Sequence, residues 1–296
     1  MTRAGAELFE PSFELRAPRG EWEPVLFSSP HSGRDYPEHF VEQSRLDAMT
    51  LRRSEDMYVD ELFAHVVDMG APLLAARFPR AYLDVNREPY ELDPRLFDGK
   101  LPSFANTRSP RVAAGLGTIP RLVGDALEIY RRALPVEAGM DRIETLYKPF
   151  HQTLRRTLEK IWRHHGVALL VDCHSMPSAA LDRHGIARAD FVLGDRFGSS
   201  AAPSLSDLIE SHLSGRGFRV VRNRPYAGGY ITEYYGTPDT GCHAIQIEIN
   251  RGLYLDERRL EKLDHFSVVQ AEITLLSENL IGFMRNATGD SSLAAE

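Results

Sequence analysis

Only two cysteines, Cys173 and Cys242, occur among 296 residues. That is too few for a disulfide framework and fits a reducing compartment. No run approaches the ~20 apolar residues needed to cross a bilayer. Residues 1–18 carry Glu7, Glu10 and Glu14 without a continuous apolar stretch, so they do not read as a signal peptide. Positive charge is in short supply as well: 35 Lys and Arg against 42 Asp and Glu give a net charge of -7. Such a surface repels nucleic acid and anionic membranes, and with no signal peptide, span or disulfide framework read from the sequence the default location is the cytoplasm. Internal repeats are lacking, and low complexity is confined to a tail at 291–296. Against these absences, 43% hydrophobic and 26% charged residues make an ordinary globular composition. A chain of this length buries roughly three-quarters of the surface that it would expose unfolded, and needs no covalent staples.

Short apolar runs at 25–29, 72–77, 81–86, 168–174, 191–195, 219–223 and 244–250 predict strands. Between them the period changes to that of helices. Over 54–69, Met57, Leu62, Val66 and Met69 share a face; over 147–165, Phe150, Leu154, Leu158, Ile161 and Trp162 do. Pro149 suits the first turn of the second helix and Gly166 its end. A last helix is expected over 256–284, with Leu260, Leu263, Phe266 and Ile273 inward. Alternating strands and helices predict a layered α/β fold on a central mixed, largely parallel sheet. Residues 91–117, rich in proline and glycine, predict an irregular excursion, either a lid or a surface insertion.

Ionisable residues gather where apolar runs end. Run 25–29 leads into Pro30-His31-Ser32-Gly33, and 168–171 leads into Asp172-Cys173-His174-Ser175. In open α/β sheets, ligands bind beyond the carboxyl ends of strands. In the last run Ile245, Ile247 and Ile249 alternate with Gln246, Glu248 and Asn250. A polar row on a central strand is costly unless it lines a wet cavity or a metal. Two histidines and a carboxylate from Glu55 or Asp56 satisfy the donor chemistry of a catalytic zinc ion. By spacing alone the set is weak evidence, because a histidine after a strand is more often a hydrogen-bonded structural residue than a ligand.

Six segments, in order, resemble the motifs of the N-formylglutamate amidohydrolase family. They are Ser29-Pro30-His31-Ser32-Gly33, Asp56-Met57-Tyr58-Val59-Asp60, Leu83-Asp84-Val85-Asn86-Arg87, Asp172-Cys173-His174-Ser175, Gly228-Gly229-Tyr230-Ile231-Thr232 and Gln246-Ile247-Glu248-Ile249-Asn250. The resemblance implies a single-domain three-layer sandwich like that of zinc exopeptidases. The catalytic domain would span 25–286, after an N-terminal extension at 1–24 and before a disordered tail at 287–296. It implies hydrolysis of a linear amide bond in a small acidic N-acyl amino acid, foremost N-formyl-L-glutamate to formate and glutamate, in amino-acid degradation such as histidine catabolism. It also implies one zinc ion on His31, Asp56 and His174, with Glu248 as catalytic base; nickel, cobalt or iron suit the same ligands. The sequence departs from the pattern at Ala227, where a basic residue is usual, and at Met57, where a tryptophan is common.

Arg87 and Asn86 are candidates to grip a substrate carboxylate, since a guanidinium offers a two-pronged donor. Arg80 is a second candidate, against the alternative of an ion pair with Asp84 or Glu88. Tyr230 and Thr232 are expected to reach the site from the Gly228–Gly229 loop, against that of an ordinary turn before a strand. For Glu248 the alternative is an ion pair with Arg251. Cys173 raises a metal-free Cys-His hydrolase, but on a strand it points away from Asp172 and His174 and reads as a buried small hydrophobe. A non-catalytic binder of acidic metabolites is the remaining class, although a binder has no use for a metal and a base together.

Overall fold

The computed structural model describes residues 9–124, 126–183 and 189–288. The expected tail therefore lies, from residue 289 onward, outside the described residues. Seven strands form one sheet: β1 (Phe13–Arg16), β2 (Val25–Ser29), β3 (Leu73–Ala76), β4 (Ala168–Met176), β5 (Phe191–Gly194), β6 (Val220–Arg222) and β7 (Cys242–Asn250). Their order is β1-β3-β2-β4-β7-β5-β6. β2 pairs with β4, β4 with β7 and β5 with β6 in parallel; β7 and β5 run antiparallel. This is the mixed, mostly parallel α/β architecture expected, and β4 and β7 are buried along nearly their whole length.

The chain divides into two compact units. Of the described residues, one comprises 9–14, 30–55 and 75–153, the other 15–29, 56–74 and 154–288. The second unit holds the main apolar core. Val25, Phe27, Cys173, Ile245, Ile247 and Ile249 from the strands pack with Leu205 and Ile209 from the helix at Pro203–Gly215 and with Ile273 and Leu276 from the helix at Phe266–Ala287. Each fully buried aliphatic side chain of this kind contributes about 1.5–3 kcal/mol. The first unit is built around aromatic rings. Tyr82 lies 5.1 Å from Phe40 and 5.5 Å from Phe9, and the Arg142 guanidinium sits 3.7 Å above its ring. Arg142 Nη1 also donates to Tyr130 Oη at 2.7 Å and to the Tyr82 carbonyl at 3.0 Å, so this buried cation is both hydrogen-bonded and stacked.

Several elements differ from expectation for physical reasons. The helix expected over 54–69 is reduced to α1 (Val59–Leu62) and a 3₁₀ turn at Ala64–Val67. Tyr58, at φ +61, breaks it by turning the chain just after Asp56, while Met57, Leu62 and Val66 still pack in the core. Helix α2 (Lys148–His165) follows the expected period, and Gly166 ends it at φ +75. Trp162 leaves that face: it is 40% exposed and donates to the Thr240 carbonyl.

Helices α3 (Pro203–Gly215) and α4 (Tyr230–Tyr235) follow, so the Gly228–Gly229 turn opens a helix and not a strand. The last helix, α5, spans Phe266–Ala287. Residues 256–262 instead form a tight hairpin: Asp256 Oδ1 accepts the N–H groups of Arg258 and Arg259, and Leu260 takes φ +61. Residues 81–86 are buried turns, not a strand. An apolar run buried on all sides carries no period to distinguish the two.

Candidate metal and base site

Buried carboxylates meet both histidines. In the first unit, Pro30-His31 follows directly on β2, and His31 Nε2 meets Asp84 Oδ1 at 2.7 Å. Asp84 is held in turn. Its Oδ1 accepts the Asn86 N–H at 2.9 Å, and its Oδ2 accepts Arg80 Nη2 at 3.0 Å and pairs with Arg87 Nη2 at 3.3 Å. Burial alone would raise the Asp84 pKa, but Arg87, His31 and Arg80 together hold it well below the usual carboxylate range.

In the second unit, β4 runs on to Met176, so Asp172 and His174 lie within the strand on one face. His174 Nδ1 is 2.9 Å from Asp56 Oδ2, and its Nε2 is 2.8 Å from Asp172 Oδ2. Burial would lower the His174 pKa; Asp172, Asp56 and Glu248 outweigh it and raise it well above the usual imidazole range. Arg251 closes the cluster, with Nη2 donating to Asp56 Oδ1 at 3.0 Å and Nε to Ser175 Oγ at 3.0 Å. The parallel register sets Glu248 of β7 beside His174, and Gln246 beside Asp172. Neighbours across a register share a face, so the polar row read from the sequence lies alongside the histidine.

Glu55 and Asp56 differ in their partners. Glu55 accepts from Arg52 Nε at 3.2 Å and from Tyr36, and burial raises its pKa, whereas Asp56 meets His174. His31, Asp56 and His174, each buried, make up a group of side chains that could hold a metal ion. The donor chemistry fits: two imidazoles and one carboxylate. A carboxylate meets Nε2 of both rings, and in His174 Asp56 meets Nδ1 as well.

The remaining candidates divide. Arg80 Nε and Nη2 meet Asp84 Oδ2, the ion pair weighed as its alternative, and its side chain stays 25% exposed. Arg87 donates from Nε to the Leu116 carbonyl and from Nη1 to the Asn86 carbonyl; burial pushes its pKa down to about 10 against the pull of Asp84. Asn86 is buried beside them. Thr232 is fully buried, its Oγ1 donating to the Gly229 carbonyl at 2.9 Å, so it shapes the loop; Tyr230 is partly exposed and stacks on Tyr234. Cys173 is fully buried, and burial pushes its thiol pKa well up, the reverse of what a thiolate nucleophile needs.

Sequence reasoning missed Asp84, Asp172 and Gln246 as the partners of His31, His174 and Glu248, although each stands in one of the six motifs. The available signal was spacing: Asp172 and Gln246 each precede a candidate by two residues on a strand. Arg251 was read only as a partner for Glu248, and its bond to Asp56, 195 positions away, has no local signature.

The class so defined is an α/β protein with a buried two-histidine, one-carboxylate group that could hold a metal ion, and with a strand carboxylate, Glu248, in register beside His174. Comparison with known proteins narrows it. The model of the N-formylglutamate amidohydrolase family matches residues 23–255, and the chain belongs to that family. N-formylglutamate deformylase of Pseudomonas putida is 29% identical over 238 residues, covering 79% of this chain and 82% of that protein. Its counterpart in Pseudomonas aeruginosa is 28% identical over 267 residues, with 88% and 94% covered. The crystal structure of N-formylglutamate amidohydrolase from Ralstonia eutropha JMP134 matches with a TM-score of 0.88 and 36% identity, over 93% of this chain and 99% of that one. A structure from Agrobacterium tumefaciens, 18% identical with a TM-score of 0.66 over 93% and 94% of the two chains, shares the fold. Among the described residues, no helix is long and apolar enough to cross a membrane.

Proposed function

We propose that the chain is a metal-dependent amidohydrolase that cleaves N-formyl-L-glutamate to formate and L-glutamate. Family membership and the names of its relatives support the substrate. The observation that carries the chemistry is that His31 and His174 are each held at Nε2 by a buried carboxylate. This is the outer-sphere arrangement that fixes histidine ligands in metal sites. His31, Asp56 and His174 hold the ion, zinc by their donor set. When bound, the metal supplies Lewis acidity, polarising the formyl carbonyl and acidifying a water.

Glu248 takes a proton from the attacking water and returns it to the nitrogen of the leaving amine, so the C–N bond breaks as the amine becomes neutral. Arg80, the more exposed of the two arginines, receives a substrate carboxylate, with Arg87 and Asn86 framing it through Asp84. Tyr230 borders the same substrate from its loop. The protein acts in the cytoplasm, in amino-acid degradation.

The test is a metal-replete assay with N-formyl-L-glutamate beside other N-acyl amino acids, comparing the wild type with Glu248→Gln. The variant is expected to bind metal as the wild type does and to lose about a thousandfold in kcat. Turnover above a tenth of the wild-type value would remove Glu248 from the role.

A further inference from the structure

The carboxamide of Gln246 is gripped at both ends. The Gly229 N–H donates to its Oε1 at 2.8 Å, and its Nε2 donates to Glu248 Oε1 at 2.9 Å. A backbone N–H can only donate, so the first bond settles which end of the amide faces which partner. Glu248 Oε1 thereby accepts an N–H from the carboxamide. Gln246 is 4% exposed, and no water need stand between these groups.

The loop at the other end has little slack. The Gly229 carbonyl accepts from Thr232 Oγ1 at 2.9 Å and from the Glu233 N–H at 3.1 Å. Gly228 takes φ +117, and a Cβ there would lie 2.5 Å from Thr232 Oγ1. Gly194, opposite Gln246 across the antiparallel register, lets the loop approach; a Cβ on it would stand 2.6 Å from the Gly228 nitrogen. Two glycines thus bring the Gly229 N–H within reach of the Gln246 side chain.

We infer that Gln246 is a positioning residue for Glu248: it holds Oε1, turns Oε2 toward the attacking water, and ties the base to the Gly228–Tyr230 loop. The inference rests on the reading of Glu248 as the base. An uncharged carboxamide suits the task, since a cation would blunt the basicity of Glu248 and a second carboxylate would repel it.

A double-mutant cycle on the metal-replete full chain tests this, with N-formyl-L-glutamate as substrate. Gln246→Leu is expected to lower kcat about tenfold to a hundredfold, the scale of a reacting group displaced by about an ångström. KM should stay within about twofold and bound metal should be unchanged. In the Glu248→Gln background the same substitution should alter the residual rate by less than about twofold, because there is no base left to position. Gln246→Glu keeps the acceptor for Gly229 but loses the N–H donor; it should show the same kcat loss even if the leucine variant fails to fold. An equal kcat loss in both backgrounds, an unchanged kcat, or a rise in KM alone would overturn the positioning role while leaving Glu248 as the base. Turnover by Glu248→Gln above a tenth of the wild-type value would overturn both.

Discussion

His31 and His174 are both held at Nε2 by a carboxylate, yet in opposite electrostatic settings. Around His31 the outer carboxylate is crowded with cations: Asp84 meets Arg80 and Arg87 as well as the ring. Around His174 the ring stands between two carboxylates, Asp172 and Asp56, and the guanidinium of Arg251 goes to Asp56. The first arrangement anchors a turn, because Asp84 also gathers the backbone of 84–86. The second is centred on the ring itself and draws positive charge toward it. One Nε2-to-carboxylate contact therefore serves chiefly as a structural knot in one unit and as an electrostatic device in the other.

The largest effect should come from breaking the His174 arrangement outright. His174→Ala is expected to abolish stoichiometric metal binding, read by elemental analysis, and to lower kcat/KM by about a thousandfold or more. Chelation of the wild type should do the same; full metal content in the variant would dissolve the proposed ligand set. A sharper test exchanges each outer carboxylate for its amide. Asp84→Asn and Asp172→Asn should both weaken metal affinity by about ten- to a hundredfold. Only Asp84→Asn should also lower unfolding free energy substantially, by roughly 3 kcal/mol in urea titrations, because two largely buried guanidiniums lose their anion. Equal losses of stability would erase the contrast.

The smallest effect compares two carboxylates away from the histidines. Asp93 is held by Arg95 and Arg121, whereas Asp195 is held first by Ser206 and Asn223. Burial works against both, yet each pKa is lowered. A carboxylate with a depressed folded-state pKa contributes stability fully above its unfolded value, near 4, and loses it as pH falls through the folded value. Asp93→Asn and Asp195→Asn alike should therefore lower the unfolding free energy near pH 7, and the gap from the wild type should close as pH falls below about 4. Added salt should weaken the contribution of Asp93, which rests on charges, more than that of Asp195, which rests chiefly on neutral donors.

Much of this was legible in the chain itself. The runs at 25–29, 72–77, 168–174, 191–195, 219–223 and 244–250 coincide closely with β2 to β7, because alternation or continuous burial leaves a readable period. Where irregular backbone serves a particular residue, the period misled. Tyr58 cuts a helix next to Asp56, Asp84 ties the turn at 84–86 through the Asn86 N–H, and Asp256 caps a hairpin ahead of α5. Exposure of Trp162 was likewise hidden, since a helical face read from spacing has no sharp edge.

The sequence by itself determined the α/β class, the strand positions and the residue types gathered at strand ends, because these depend on neighbours two to four places apart. Only the tertiary structure decided which carboxylate serves which histidine. Asp84 lies 53 positions from His31, and Asp56 lies 118 from His174. Glu55 and Asp56 are adjacent and chemically alike, and they are told apart only by where the turn at Tyr58 sends them. A hydrogen bond of 2.9 Å is fixed by the packing of whole strands, and no local spacing in the chain encodes it.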